Sequence, residues 1–328
     1  MAQVLRRVPI ASHPDLLVGT ATGDDAAVWR VDAARAFVST VDFFTPLVDD
    51  AYTWGAIGSA NSVSDVYAMG GRPMLALNIA AWPRDQLPFE LLGDVLAGAS
   101  DLAERGGWVI GGGHTIDGPE PMFGQSVLGE VMIDQIMTND RGRAGDVLVL
   151  TKALGTGTIT TALKRCTADE VKHGWLRPAV EAAVASMTRL NATASTAAVR
   201  VGVRAATDIT GFGLSGHLHK MALASGVEAR LSIEAIPILP LTQEILAKGF
   251  VPGGTGRNLE FVTGSLVLET PRVDAHRLLA DPQTSGGLLL CVRADRVDEL
   301  CSELRDSGDH GAVIGELVVG TPGRVVVR

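Results

Sequence analysis

Asn61-Ser62-Val63-Ser64-Asp65-Val66-Tyr67-Ala68-Met69-Gly70-Gly71 is the stretch around which the chain is organised. It reads as the end of a helix that starts near Tyr52 and is closed by a glycine pair. Asn61 and Asp65 are four residues apart and share a helix face. Val63, Val66 and Met69 point elsewhere and suit a core. The preceding turns are built from small residues (Gly55, Ala56, Gly58, Ser59 and Ala60), which leaves room beside Asp65 for a ligand. Three further acidic segments flank it: Gly23-Asp24-Asp25-Ala26, Thr40-Val41-Asp42-Phe43 and Thr207-Asp208-Ile209-Thr210. We expect these acids to converge with Asp65 on metal ions and a polyphosphate.

Working outward, Ala26–Trp29, Ala36–Val41 and Pro73–Ala81 read as strands, and Pro88–Arg105 has helical periodicity. Trp108–Ile110 reads as a strand running into a glycine loop, Gly111–Thr115, and Ser126–Ile133 as another strand. Residues 1–21 suggest a short helix and an extended run. A polar, glycine-bearing boundary falls at Thr138–Gly145, dividing the chain into units 1–138 and 139–328. The second unit opens with strand Asp146–Thr151, a turn at Leu154–Gly157 and a helix to about Arg165. Glu181–Val199 is alanine-rich and reads as one helix. Strand Ala205–Ile209 carries Asp208 and precedes helix Leu214–Ser225. After the loop Asp281–Gly287 come strand Leu288–Val292, a helix around Leu300 and Leu304, and closing strands Ala312–Val319 and Arg324–Val327. Strands and helices alternate, so the fold class is α/β.

The composition narrows the function. The chain has 328 residues, long enough for two cores. Only 5% of residues are aromatic and the net charge is −9, which argues against a base-stacking or phosphate-backbone surface for nucleic acid and against an anionic membrane. A protein this acidic needs cations to hold a polyphosphate, which points to Mg²⁺. Cys166, Cys291 and Cys301 follow no metal or redox spacing and read as packing residues in a reducing compartment. The start does not read as a signal peptide, and no stretch reaches the ~18 apolar residues of a membrane helix.

Aspartates at strand ends beside glycine turns are where α/β enzymes place metal ligands, and Asp25, Asp42, Asp65 and Asp208 fit. Each could equally cap a helix or turn, and Asp24 has the stronger structural reading as one of an adjacent pair. The Gly111–Thr115 run could give phosphates or a base close backbone approach, but it matches neither a P-loop nor a dinucleotide fingerprint. His114 could touch phosphate or brace its loop. Lys152 reads as solvated, and Arg257 and Asn258 as second-site contacts in a glycine loop. This residue-level reading stops at an acidic two-domain α/β enzyme with a Mg²⁺–polyphosphate site.

The ordered motifs go further. LLVGTATGDDAAV (16–28), STVDFFTPLVDD (39–50), NSVSDVYAMGGRPMLAL (61–77), GGHTIDGPEPMFG (112–124), TKALGTG (151–157), ATDITGFGLSGHL (206–218), VPGGTGRN (251–258) and DPQTSGGLLL (281–290) together resemble the selenophosphate synthetases (selenide, water dikinases) over essentially the whole chain. The resemblance implies two α/β domains like those of aminoimidazole ribonucleotide synthetase, with N-terminal domains pairing in a homodimer and a C-terminal α/β domain. It implies the reaction ATP + selenide + water → selenophosphate + phosphate + AMP, in the cytoplasm, with downstream selenium-transfer enzymes as possible partners. It assigns Mg²⁺ to Asp25, Asp65 and Asp208. It assigns ATP contacts to Thr22, Gly23, Asp24, Asp42 and Asp65, and to Gly113, His114 and Thr115. The family's reactive Cys or selenocysteine and its lysine fall before the position of Met1, so no residue here receives those catalytic roles. The expectation is that residues 1–328 bind Mg²⁺–ATP and make little selenophosphate. A related Mg²⁺–ATP kinase or ligase on another small substrate, or a non-catalytic nucleotide-binding regulator, stays open at this point.

Overall fold

A computed structural model describes residues 12–328. Most of the short helix expected in residues 1–21 therefore lies outside the described residues, while the extended run appears as β1 (Leu16–Val18). The first unit continues with β2 (Ala27–Arg30), β3 (Arg35–Phe44), α1 (Ala51–Ala68), β4 (Arg72–Trp82), α2 (Phe89–Gly106), β5 (Val109–Asp117) and β6 (Met122–Met132). Its six strands run in the order β1-β2-β3-β6-β4-β5, antiparallel throughout except for the parallel β4–β5 pair.

The second unit holds β7 (Asp146–Leu150), α3 (Thr156–Leu163), α4 (Ala168–Lys172), α5 (Arg177–Thr188), α6 (Ala192–Val201), β8 (Ala205–Asp208) and α7 (Gly213–Ala224). There follow β9 (Glu228–Leu231), α8 (Thr242–Ala247), α9 (Gly253–Phe261), β10 (Leu266–Leu268), α10 (Ala275–Leu279), β11 (Leu288–Arg293), α11 (Val297–Asp306), β12 (Ala312–Val318) and β13 (Val325–Val327). The seven strands run β10-β13-β9-β12-β7-β11-β8. β11 lies inside this sheet, between β7 and β8, and explains the unbroken apolar run LLLCV. Leu288, Leu290 and Val292 pack with α6 and α11, while Leu289 and Cys291 pack on the other face with α7. A strand covered on both faces has no polar alternation.

α1 is the element both units share. Val63, Val66 and Met69 join the core of the first sheet, Ala68 joins Leu288 and Leu290 of the second, and Ile57 packs with Ile159 and Leu176. A helix buried on all sides needs small side chains. At Gly55 a Cβ would stand 1.9 Å from the Val95 carbonyl oxygen of α2, so the two backbones touch. Asp50 caps the start by accepting from the Thr53 amide at 2.8 Å. Gly70 ends the helix at φ +78°, and Gly71 N–H donates to Val66 O at 2.9 Å, which closes a Schellman motif.

Three expectations change. Gly111–Thr115 is not a loop but the middle of β5, paired with Asn78–Ala80 of β4. Gly113 answers to crowding, since a Cβ there would meet Asn78 O at 2.2 Å, and Gly112 answers to its φ of +137°. The helix expected over Glu181–Val199 is two helices, α5 and α6, broken at Arg189–Asn191 with no glycine or proline to mark it. The glycine loop holding Arg257 and Asn258 is the helix α9. β9 and β10 are too short for a periodic signal and were not expected.

Candidate functional site

Five aspartates gather where α1 meets both sheets. Asp42 lies on β3, Asp65 in the last turn of α1, Asp208 at the end of β8, and Asp24–Asp25 on the approach to β2. Asp208 is 1% exposed and Asp65 8%. Each is held by a neutral donor. Thr40 Oγ1 donates to Asp65 Oδ2. Ser64 Oγ donates to Asp208 Oδ2 at 2.6 Å, and Asn191 Nδ2 donates to Ser64 Oγ at 2.9 Å. Thr207 Oγ1 donates to Asp25 Oδ1 at 2.9 Å, and Asn61 Nδ2 to Asp42 Oδ2 at 2.8 Å. Asp24 Oδ1 accepts from the Asn139 amide at 2.6 Å, while its Oδ2 accepts from Thr22.

Two solvent-shielded oxygens of these acids have no donor among the described residues. Asp25 Oδ2 and Asp208 Oδ1 are shielded from solvent and unpartnered. A buried carboxylate without a partner is costly, so such a group protonates or meets a cation. Burial pushes Asp208 up to about 7, with the Asp42 charge adding to it. Burial, then the charge of Asp208, holds Asp25 well above the usual carboxylate range, and Asp65 likewise. One ligand atom each from Asp25, Asp208 and His217 fall within 4.8 Å of one another. Burial drops His217 to about 3, so its ring is neutral. Nε2 accepts from the Thr210 amide at 3.3 Å, which leaves the proton on Nδ1, 3.4 Å from Thr207 Oγ1.

A second set of bonds ties this cluster to the Asp281–Gly287 loop. Ser285 N–H donates to Asn61 Oδ1 at 2.8 Å, so Asn61 spans Asp42 and the loop. Asn191 Nδ2 reaches Gly286 O at 2.8 Å. Lys152 corrects the expectation of a solvated lysine: it is 3% exposed, and its Nζ donates to Arg189 O at 2.6 Å and Ser285 O at 2.8 Å. Burial pulls it down to about 7, with the Arg189 charge adding to that shift. The same Arg189 carbonyl explains the helix break. Asn258 is a brace: its Nδ2 donates to Gly211 O and Ala280 O, both at 2.9 Å. Burial raises the thiols of Cys291, Cys166 and Cys301, which disfavours the reactive thiolate at each.

Gly113, His114 and Thr115 are not among the acids. Asp42 pairs with Gln125, Gln125 with Asn78 and Asn78 with Gly113, so they lie on one row across the sheet. Three strand spacings put Gly113 about 14 Å from Asp42. Sequence spacing did not single out Thr40, Ser64, Asn191, Thr207, His217 or Lys220. All are ordinary donors whose importance lies in what they face. His217 and Lys220 stand nine and twelve residues after Asp208, and only the turn at Thr210–Gly213 brings them back.

No helix among the described residues is long and apolar enough to cross a membrane. The AIR synthase related protein family matches by its N-terminal domain over residues 23–131 and by its C-terminal domain over 143–328. The chain is 44% identical to a selenide, water dikinase of Photorhabdus laumondii over 316 residues, covering 96% of this chain and 88% of the relative. It is 43% identical to one of Carboxydothermus hydrogenoformans over 329 residues, covering 100% and 93%. Among solved structures, a thiamine-monophosphate kinase from Stenotrophomonas maltophilia superposes with TM-score 0.69 at 21% identity, covering 99% of this chain and 93% of that one. Hydrogenase maturation protein HypE in complex with ATP superposes with TM-score 0.68 at 18% identity, covering 99% and 90%. These two likenesses establish the fold.

Proposed function

We propose the following chemistry on the premise that this chain belongs to the selenide, water dikinase family. The protein is an ATP-dependent enzyme that makes selenophosphate from selenide and water, releasing AMP and phosphate. The observation that carries the site is the pair of orphaned, shielded oxygens, Asp25 Oδ2 and Asp208 Oδ1. Hard oxygen donors on several carboxylates suit Mg²⁺, which usually keeps waters and substrate phosphates as its other ligands.

Asp25, Asp65 and Asp208 would hold the ion. Bound Mg²⁺ neutralises charge on the phosphates and acts as a Lewis acid there. The chain's own residues do the positioning. Ser64 and Asn191 orient Asp208, Thr207 orients Asp25 and Thr40 orients Asp65, leaving defined oxygens free. The Asn61 bridge fixes Asp42 against the Asp281–Gly287 loop, so both units form one wall. Thr22, Gly23, Asp24 and Asp42 would contact ATP. Gly113, His114 and Thr115 stay ATP contacts on resemblance alone.

We divide the chain at 138/139 into an N-terminal ATP-, Mg²⁺-binding and dimerisation domain and a C-terminal α/β domain. What supports a homodimer is the first sheet's other face: Val41 and Phe43 of β3, Leu75 and Leu77 of β4 and Val109 of β5 are all exposed. An apolar sheet face of this kind marks an interaction surface. Three cysteines without a disulfide support a reducing cytoplasm.

The test is Mg²⁺-dependent ATP binding by calorimetry. Wild-type protein should bind ATP only with Mg²⁺, and Asp65→Asn should lose that binding while keeping its circular dichroism spectrum. Equal ATP binding in EDTA, or ATP turnover that ignores selenide, would contradict the assignment.

A further inference from the structure

Lys220 of α7 stands beside the acid cluster without joining it. Its side chain runs along Gly23: Cδ and Cε lie 3.9 Å from where a Gly23 side chain would begin. Gly23 adopts φ +65° and presents only backbone at this contact. The ammonium lies 4.2 Å from the centroid of the Phe212 ring, a cation–π placement that fixes it over the turn following Asp208. Among the described residues, no carboxylate oxygen comes within 4.0 Å of Nζ, and none of its three N–H groups has an acceptor. Burial lowers Lys220, and the charges of Asp25, then Asp24, then Asp208 draw it back up.

This arrangement is unusual for a surface lysine. Were the ammonium there to neutralise the acids, it would pair with one of them. Instead it is held a step away, beside the Thr22–Asp24 segment, with no acceptor for its donors among the described residues. That segment is anchored at Gly23 and Asp24: Asn139 donates through its amide to Asp24 Oδ1 and through Nδ2 to Gly23 O, at 2.6 and 3.0 Å. A compact point charge with three free donors suits a phosphate oxygen.

We propose that the Lys220 ammonium is a direct phosphate contact of bound Mg²⁺–ATP, reaching across Gly23 from the C-terminal unit. The proposal rests on the Mg²⁺–ATP assignment of the acid cluster. It adds a cationic donor from α7 to a site that otherwise offers carboxylates and neutral groups.

Lys220→Met keeps an unbranched stem on Gly23 and Phe212 and removes only the charge. Calorimetry with a non-hydrolysable ATP analogue and Mg²⁺ should show binding at least about tenfold weaker, the scale of a lost charged hydrogen bond. Adenosine should bind Lys220→Met as it binds wild type, and Lys220→Arg should stay within about threefold of wild type. If Lys220→Met binds the analogue as wild type does, the proposal is wrong. If adenosine weakens equally, the lysine only supports the pocket, and the proposal is again wrong. Should Lys220→Met melt early, Lys220→Gln gives the same readout. Wild-type protein that binds no analogue with Mg²⁺ would bring down the Mg²⁺–ATP assignment itself, and the proposal with it. Wild-type binding that survives unchanged in Lys220→Met removes the proposal alone.

Discussion

Asp208 and Asp281 are both 1% exposed aspartates of the second unit, and they have opposite fates. Asp281 is satisfied: Oδ1 accepts from Thr158 Oγ1 at 2.8 Å and Oδ2 from Gln283 Nε2 at 2.7 Å, with the Gly157 and Thr158 amides adding support. Asp208 accepts from one other side chain, Ser64, and its Oδ1 is shielded with no hydrogen-bond partner, while a ligand atom of the residue lies within 4.8 Å of one on Asp25. Burial raises both, Asp281 to about 6 and Asp208 to about 7. Burial and a raised pKa therefore do not separate a structural acid from a proposed metal ligand. Counting lone pairs does: Asp281 is a finished joint, while Asp208 keeps an unpartnered oxygen that the proposed cation would meet.

The largest test of that contrast is substitution of each acid. Asp208→Asn should weaken Mg²⁺-dependent ATP binding by at least about a hundredfold, because the remaining acids cannot hold the ion with substrate-level geometry. Asp281→Asn should leave Mg²⁺ affinity within about threefold, by calorimetry. Equal losses in the two variants would erase the distinction.

Stability should run the other way. Asp281→Ala strips the partners of Thr158 and Gln283 and should lower unfolding free energy by about 2–3 kcal/mol in urea melts. Without Mg²⁺, Asp208→Asn should melt no lower than wild type, since it removes one of several like charges. A fall as large as that of Asp281→Ala would make Asp208 structural.

Ser64→Ala probes orientation alone. It removes the hydroxyl that fixes Asp208 Oδ2 and should cost about tenfold in Mg²⁺ affinity. An unchanged titration would show that the Ser64–Asn191 relay is not used.

The smallest effect is the pH dependence. Asp208 is raised in the folded state, so its contribution to stability is present below the ordinary carboxylate value and fades as pH climbs through about 7. Metal-free protein should therefore lose melting temperature between about pH 4 and 7. The gain in melting temperature on adding Mg²⁺ should widen over the same range. A Mg²⁺ gain that shrinks with rising pH would contradict the placement of the ion on these acids.

How much of this was legible in the sequence differs between the two regions. α1, its closing Gly70-Gly71 and the acids at strand ends could be read because each leaves a local mark: small residues, a helix-stop pair, or an aspartate ending an apolar run. The ordered motif series carries the family resemblance by itself. What the sequence hid depends on distant partners. Lys152 reads as solvated until the carbonyls of Arg189 and Ser285 enclose it. Gly111–Thr115 reads as a loop because glycine disfavours strands, yet β4 lies too close for a side chain at Gly113. Arg189–Asn191 breaks an alanine-rich helix without a breaker residue. Asp208 and Asp281 look alike in one dimension because the difference is whether a donor 144 or 123 residues away is present, and how many.

The most direct test replaces Mg²⁺ with Mn²⁺. A crystal grown with Mn²⁺ and a non-hydrolysable ATP analogue should show an anomalous peak bonded to Asp25 Oδ2 and Asp208 Oδ1, and none at Asp281. Nucleotide bound with no metal on those two oxygens, or with the metal held elsewhere, would contradict the account.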